Sequence, residues 1–371
     1  MIFDTSKSRS TDCGLKSKDL FFELLLVAAG ARGHLAKSYS KEEWEMAYVI
    51  ANQQAIVGVL MTSIEVLLEN NSELPSKELL FQWIGMTQLI EQNSQKLTKA
   101  SEETVKYFRE NGFECSILKG VSVGQYYPNP NRRNSGDVDV WLKGGRKKIY
   151  DFARKHDNEG KLHGVTFHHI HFHLFDDVEV EVHIWPSYLS SPLRNHWLQQ
   201  FCKLHEPTAD TDVPSLAFNR VFIMLHAYQH ICGHGVGLRQ IMDYFYILKQ
   251  GFTEEERTDS VKWIKRLGMG KFCAGLMWLL QEKFGLKDQY LLMEPNEKEG
   301  VFILNEIMLT GNMGHSETRN WGSTRTPFSR FFFNLRRDNY LLTHYPHEAL
   351  WQPFFSLWFY AWRLNRGLLK D

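Results

Sequence analysis

The sequence predicts an α+β protein in which a small mixed β-sheet lies between N-terminal and C-terminal helical regions. Apolar residues recur at helical spacing through residues 18–110. Short alternating apolar and polar runs follow between residues 113 and 185, and helical spacing returns beyond residue 192. With 43% hydrophobic residues in a chain of 371, there is enough apolar material to bury a large core.

This pattern divides the chain into three parts: a helical region (1–110), an α/β core (111–190) and a second helical region (191–371). The first part is expected to hold three or four helices. No clear linker separates the parts, so we expect the helical regions to pack on the sheet.

The predicted core begins with a strand at residues 115–118, followed by a helix and a Pro-, Asn- and Gly-rich loop at 127–136. A second strand carries Asp137 and Asp139, and a charged helix spans 146–156. Two further runs, 165–175 and 178–185, are expected to pair as a hairpin around Asp176 and Asp177. The later predicted helices include 216–232, 238–249, 261–284, 301–309 and 354–364.

Composition excludes several classes of protein. The 43 basic and 43 acidic side chains cancel, so no uniformly positive field attracts a long nucleic acid or an anionic membrane. The five cysteines form no CxxC motif, which argues against disulfide and thiolate zinc sites and favours a reducing compartment. No apolar run is long enough to cross a bilayer and no signal sequence is evident, so we expect a cytoplasmic protein.

Asp137 and Asp139 are the sharpest chemical feature of the sequence. Residues i and i+2 of a strand project from one face, where two carboxylates can share Mg²⁺. The polar face of an edge strand would give the same pattern. Upstream, Lys119, Gly120 and Ser122 lie where a strand passes into a helix, a place suited to a polyphosphate.

The later strand places Glu179, Glu181 and His183 on one face. One of these residues can supply a third acidic ligand to a two-metal site and can act as a general base on the attacking hydroxyl. A solvated strand face is again the alternative.

The strings LKGVSVGQYYPNPNRRNSGDVDVWL and HHIHFHLFDDVEVEVHIWP resemble an uncharacterised bacterial nucleotidyltransferase family of the DNA polymerase beta superfamily. That family carries Leu-Lys-Gly, an Arg-x-x-Gly-Asp-h-Asp segment and a later h-Glu-h-His strand. The similarity extends into residues 219–248 and 345–363. The wider superfamily has Gly-Gly or Gly-Ser in the first turn, whereas this chain has Lys119-Gly120 with Ser122 displaced by one residue.

The resemblance implies that an acceptor hydroxyl attacks the α-phosphate of a nucleoside triphosphate, with Mg²⁺ (or Mn²⁺) held by three carboxylates. The implied catalytic and metal-binding residues are Asp137, Asp139 and Glu181. The residues we place on the nucleotide side are Lys119, Gly120, Ser122, Arg133, His183 and Arg239.

Two features leave alternatives open. Arg239 either contacts a phosphate or pairs with Asp243, four residues later on its helix. The histidines of residues 168–173 either are structural or substrate-contacting, or form a zinc site. A two-residue turn would pair Phe175 with Val178, whereas a three-residue turn would bring His173 to Glu181 and His171 to His183.

Three functions therefore remain. The first is a Mg²⁺-dependent nucleotidyltransferase that modifies a small molecule or a protein, since neutral charge argues against long nucleic acid. The second is a catalytically silent member that binds a nucleotide or a partner. The third is a metal-dependent hydrolase built on the histidine-rich strand.

Overall fold

The structure is a computed structural model that describes residues 19–156, 164–233, 235–317, 319, 321 and 326–365. Within these ranges the predicted α+β class is confirmed, because a four-stranded mixed sheet is flanked by helices on both sides in sequence. The three-part division stays a prediction, and its residues 1–18 and 366–371 lie outside the described residues.

Two of the four helices before the sheet begin at polar capping residues. Ser40 forms a capping box with Glu43, and Ser76 accepts a hydrogen bond from the backbone of Leu79. The last of these helices has 34 residues and contributes to both hydrophobic cores of the molecule. The four elements are α1 (Asp19–Ala28), α2 (Lys41–Gln53), α3 (Val57–Glu69) and α4 (Lys77–Glu110).

The sheet has the strand order β1-β2-β4-β3, in which β2 and β4 are parallel and the outer pairs are antiparallel. The strands are β1 (Cys115–Leu118), β2 (Val138–Leu142), β3 (His169–Phe172) and β4 (Val180–His183). The short helix α5 (Gly120–Gly124) follows β1, and α6 (Gly145–His156) follows β2. The first strand has the predicted bounds.

Strands β3 and β4 form the expected antiparallel pair, but both registers weighed from the sequence are wrong. The structure pairs His171 with Glu181 and His169 with His183. The connection is longer than either tight turn, because regular pairing ends at Phe172 and Val180. The observed register differs by two residues from the register that a three-residue turn would give. Because side chains alternate with a period of two, each side chain still lies on the face which that turn predicts.

The chain after the sheet is helical. The predicted helix at 261–284 is two helices, because Gly268 adopts a left-handed conformation with φ of 84°. No helix of the described residues is both long and apolar enough to traverse a bilayer. These helices are α7 (Pro192–Leu204), α8 (Leu216–Cys232), α9 (Leu238–Lys249), α10 (Glu254–Arg266), α11 (Gly270–Phe284), α12 (Glu297–Thr310), α13 (Pro327–Leu341), α14 (Pro346–Ala349) and α15 (Gln352–Leu364).

The two faces of the sheet have different surroundings. On one face, Val140 and Val182 belong to a hydrophobic core that also contains Phe108 of α4 and Ile149 of α6. On the other face, Trp141 stacks on Phe218 of α8 at 5.5 Å between ring centroids. The alternation of residues along β2 and β4 therefore directs their polar side chains toward α8.

Glu348 is a buried carboxylate that connects α14 to the loop after β4. Its Oε1 accepts a hydrogen bond of 2.8 Å from the backbone N–H of Ser190. Burial raises the pKa of Glu348 to about 7, against the opposing effects of Ser190 and Arg194. The folded protein therefore binds a proton at Glu348 that the unfolded chain releases near pH 4.5.

Because the folded state holds more protons, the free energy of unfolding is expected to fall as the pH rises from about 4.5 to 7. Glu348→Gln removes this pH dependence. The free energy of unfolding of the variant, relative to that of the wild type, should therefore rise by up to about 3 kcal/mol when the pH is raised from 5 to 8. Urea unfolding of both proteins at the two pH values measures the gain. An equal difference at both pH values would contradict the prediction.

Candidate active site

The face of the sheet toward α8 carries the predicted carboxylates. Asp139 of β2 and Glu181 of β4 are direct partners in the parallel pair, so their side chains project from the same face. Asp137 immediately precedes β2, two residues before Asp139. The structure therefore brings together acidic side chains from two separate segments of the chain.

The Asp139 side chain is buried, and it forms an ion pair with Lys119 and a hydrogen bond with His183. Its Oδ1 lies 2.8 Å from the Nζ of Lys119 and 2.7 Å from the Nε2 of His183. The same His183 nitrogen is 3.4 Å from an oxygen of Glu181. Only 3% of the Asp139 side chain is exposed, so these contacts form in a region of low dielectric.

The three carboxylates have different proton affinities. Burial by itself would raise the pKa of Asp139, but Lys119 and His183 outweigh it and hold that pKa below its usual range. The pKa of Glu181 is also lowered against burial, mainly by His183 and His169. Burial, followed by repulsion from Asp139, raises the pKa of Asp137 to about 6.

Lys119 reaches Asp139 from a strained turn between β1 and α5. Its φ of 47° is unusual for a residue with a side chain, and Gly120 follows with φ of 33°. The Ser122 hydroxyl donates to the carbonyl oxygen of Lys119 at 2.8 Å. Ser122 is thus used to close this turn, and the turn directs the lysine toward the carboxylates.

Arg133 forms a buried ion pair that the sequence did not indicate. Its Nε and Nη2 donate to the two oxygens of Asp243 in α9, each at 2.7 Å, and its Nη1 donates to Ser135. Tyr127 donates its hydroxyl to the same aspartate at 2.6 Å. Arg133 therefore holds the loop before Asp137 against α9, and three of its five N–H donors are used in these contacts.

Arg239 does not pair with Asp243, and its contact with a phosphate stays a prediction. Its Nη1 donates to the carbonyl oxygen of Asn134 at 2.7 Å, whereas Asp243 is paired with Arg133. The Nε of Arg239 is buried and has no hydrogen-bond partner among the described residues. Burial, together with repulsion from Arg133, lowers the pKa of Arg239, and its charge acts on Asp137.

The histidines extend this polar face toward the edge of the sheet. His169 and His171 lie opposite His183 and Glu181 in the β3–β4 pair. Burial lowers the pKa of His169 to about 4, despite the opposing attraction of Glu181. Burial likewise lowers the pKa of His168 well below its usual value, so both rings are neutral near pH 7.

A cavity of about 170 Å³ opens over these groups, between the sheet and α8. His226 and Gln229 of α8 and Tyr188 line it, and sequence reasoning did not place them in the site. The position of His226 in the site depends on how α8 packs on the sheet. A larger cleft of about 600 Å³ between α2 and α4 contains no metal-ligand cluster among the described residues.

Comparison with known proteins identifies one family model that matches the chain. Its description is "uncharacterised nucleotidyltransferase", and the match covers residues 40–285, which include the sheet, the carboxylates and α8 to α11. No curated protein matches the chain significantly.

Proposed function

The chain belongs to the uncharacterised nucleotidyltransferase family, and on that premise we propose that it transfers a nucleoside monophosphate from a nucleoside triphosphate to a hydroxyl group. The acceptor is a small molecule or a protein side chain. The observation that carries the proposal is the pairing of Asp139 with Glu181 on one face of the sheet. Asp137 lies two residues before Asp139 in the chain.

The donor atoms of this face fit Mg²⁺ or Mn²⁺. Ligand atoms of Asp139, Glu181 and His183 lie within 4.8 Å of one another, and carboxylate oxygens are the preferred ligands of both ions. Asp137 lies two residues before Asp139 and is not among these clustered ligand atoms. Burial and repulsion from Asp139 raise its pKa, so a cation nearby would stabilise its charged form. A metal bound here would act as a Lewis acid on the phosphate oxygens and orient the triphosphate.

The remaining charged groups of the site neutralise the triphosphate. Lys119 lies at the carboxylates with its ammonium directed into the site, and Arg239 has a buried Nε without a partner. Both cations are placed to stabilise negative charge that develops on the phosphates. In the reaction, the acceptor oxygen bonds to the α-phosphorus, pyrophosphate leaves, and a carboxylate of this face accepts the hydroxyl proton.

Four residues named from the sequence receive supporting roles in this proposal. Ser122 and Gly120 shape the turn that presents Lys119, and Arg133 fixes the loop that ends at Asp137. His183 orients Asp139 through its 2.7 Å hydrogen bond. The cavity beside them is smaller than the usual 300–1,000 Å³ of a complete ligand site, so it suits one group of a substrate.

A screen of ATP, GTP, CTP and UTP with Mg²⁺ or Mn²⁺ tests the proposal. Pyrophosphate release and mass spectrometry of the protein and of added acceptors are the readouts. We expect metal-dependent pyrophosphate release with at least one triphosphate. Triphosphate binding without turnover under all conditions would instead support the silent nucleotide-binding member, and absence of binding would refute both.

A further inference from the structure

Glu181 is bracketed by two imidazole nitrogens from the edge strand β3. His169 Nδ1 lies 3.6 Å from its Oε2, and His171 Nε2 lies 3.6 Å from its Oε1. Both distances exceed the 2.7–3.2 Å of a normal N–H···O hydrogen bond. Two ligands on a tetrahedral metal with bonds of about 2.0–2.1 Å are roughly 3.4 Å apart, which is close to the observed spacing.

The nitrogen of His169 that faces Glu181 is not used elsewhere. Its Nδ1 is buried and has no hydrogen-bond partner among the described residues. A buried ring nitrogen without a partner loses the free energy of a hydrogen bond, which a metal ion would restore. The side chain of His169 is only 15% exposed, so solvent does not supply this partner freely.

His171 is oriented by a second carboxylate. Its Nδ1 lies 2.5 Å from Oε1 of Glu179, and this contact leaves Nε2 directed at Glu181. A carboxylate on the far nitrogen of a histidine is the usual arrangement behind a metal-binding imidazole, because it fixes the tautomer and the ring orientation. Ligand atoms of His169, His171 and Glu181 all lie within 4.8 Å of one another.

We propose that His169, His171 and Glu181 form a site for a divalent transition-metal ion such as Zn²⁺, distinct from the magnesium position at Asp139. Glu181 belongs to both sites and would lie between the two ions. Two imidazoles and one carboxylate suit Zn²⁺ better than Mg²⁺, which prefers oxygen ligands. An ion in this site joins β3 to β4, and three protein ligands leave a coordination position for water or for an acceptor group.

Zinc titration of the metal-free, full-length protein tests this site. The protein competes for Zn²⁺ with a chromophoric chelator in a buffer that contains millimolar Mg²⁺. We expect one tight zinc equivalent in the wild type, and at least a tenfold loss of affinity in His171→Ala. His173→Ala is the matched control, since His173 is 46% exposed, lies beside Asp176 and should leave the affinity unchanged.

Equal zinc affinity in the wild type and in His171→Ala would overturn the proposal. His169→Ala should lose affinity to the same extent, and if that variant does not fold, the more exposed His171 decides the question. The zinc-site proposal and the transferase proposal can be refuted independently of each other. A wild-type protein that binds Zn²⁺ but no nucleoside triphosphate keeps this site and refutes the transferase, whereas the reverse result refutes this site alone.

Discussion

Asp139→Asn should abolish Mg²⁺-dependent pyrophosphate release, with a loss of at least about a thousandfold. Asp139 lies at the centre of the carboxylate face, with Lys119 and His183 on one of its oxygens. An amide keeps the shape of the side chain but removes the charge that a divalent ion and its phosphates require. A thousandfold loss corresponds to about 4 kcal/mol of transition-state stabilisation.

The same variant should also be less stable. Replacing a buried charged partner leaves Lys119 less well compensated, although Asp137 and Glu181 still attract it. We expect the free energy of unfolding to fall by about 1–3 kcal/mol. Asp151→Asn, which changes an exposed aspartate on α6, is the matched control and should alter neither quantity. Undiminished turnover in Asp139→Asn would remove Asp139 from the mechanism.

Asp243→Ala should produce the largest loss of stability. The substitution leaves the Arg133 guanidinium buried without its counter-charge and removes the acceptor of the Tyr127 hydroxyl. The side chains of Arg133 and Asp243 are 6% and 3% exposed, so water compensates little of this loss. Breaking a buried ion pair on one side costs about 3–5 kcal/mol. Urea unfolding of the wild type and the variant measures the effect.

Two further variants show whether the lost pair is responsible. Asp259→Ala removes an exposed aspartate from α10 and should change the free energy of unfolding by less than about 0.5 kcal/mol. Combining Arg133→Met with Asp243→Leu removes both charges and should recover most of the stability. The prediction is wrong if Asp243→Ala remains within about 1 kcal/mol of the wild type.

The local features of the site were predictable from the sequence. The alternation of Val138, Val140 and Leu142 with the aspartates fixed which side chains share a face. The same period-two pattern placed Glu181 and His183 together on the later strand. The bounds of β1 followed from four consecutive apolar or small residues, all of which are buried.

The long-range features were not predictable. The parallel pairing of β2 with β4 depends on two connections whose path the sequence pattern does not encode. Arg133 pairs with Asp243 across 110 positions, and the nearby Arg239 offered an equally reasonable partner four residues away. The hairpin register failed because the connection between β3 and β4 is not a tight turn.

The backbone conformation of Lys119 was also not predictable from the sequence. A positive φ at a lysine costs energy and has no signature in a single sequence. In the structure, this conformation directs the Lys119 ammonium toward Asp139, and the Ser122 hydroxyl closes the turn by donating to the Lys119 carbonyl oxygen.

The most direct test of the central claim is the binding of Mn²⁺ measured by electron paramagnetic resonance, with and without a nucleoside triphosphate. Our account predicts that the triphosphate tightens Mn²⁺ binding to the wild type by at least tenfold, and that Asp139→Asn and Glu181→Gln lose this gain. Mn²⁺ binding that is equal in all three proteins, or that the triphosphate does not affect, would contradict the account.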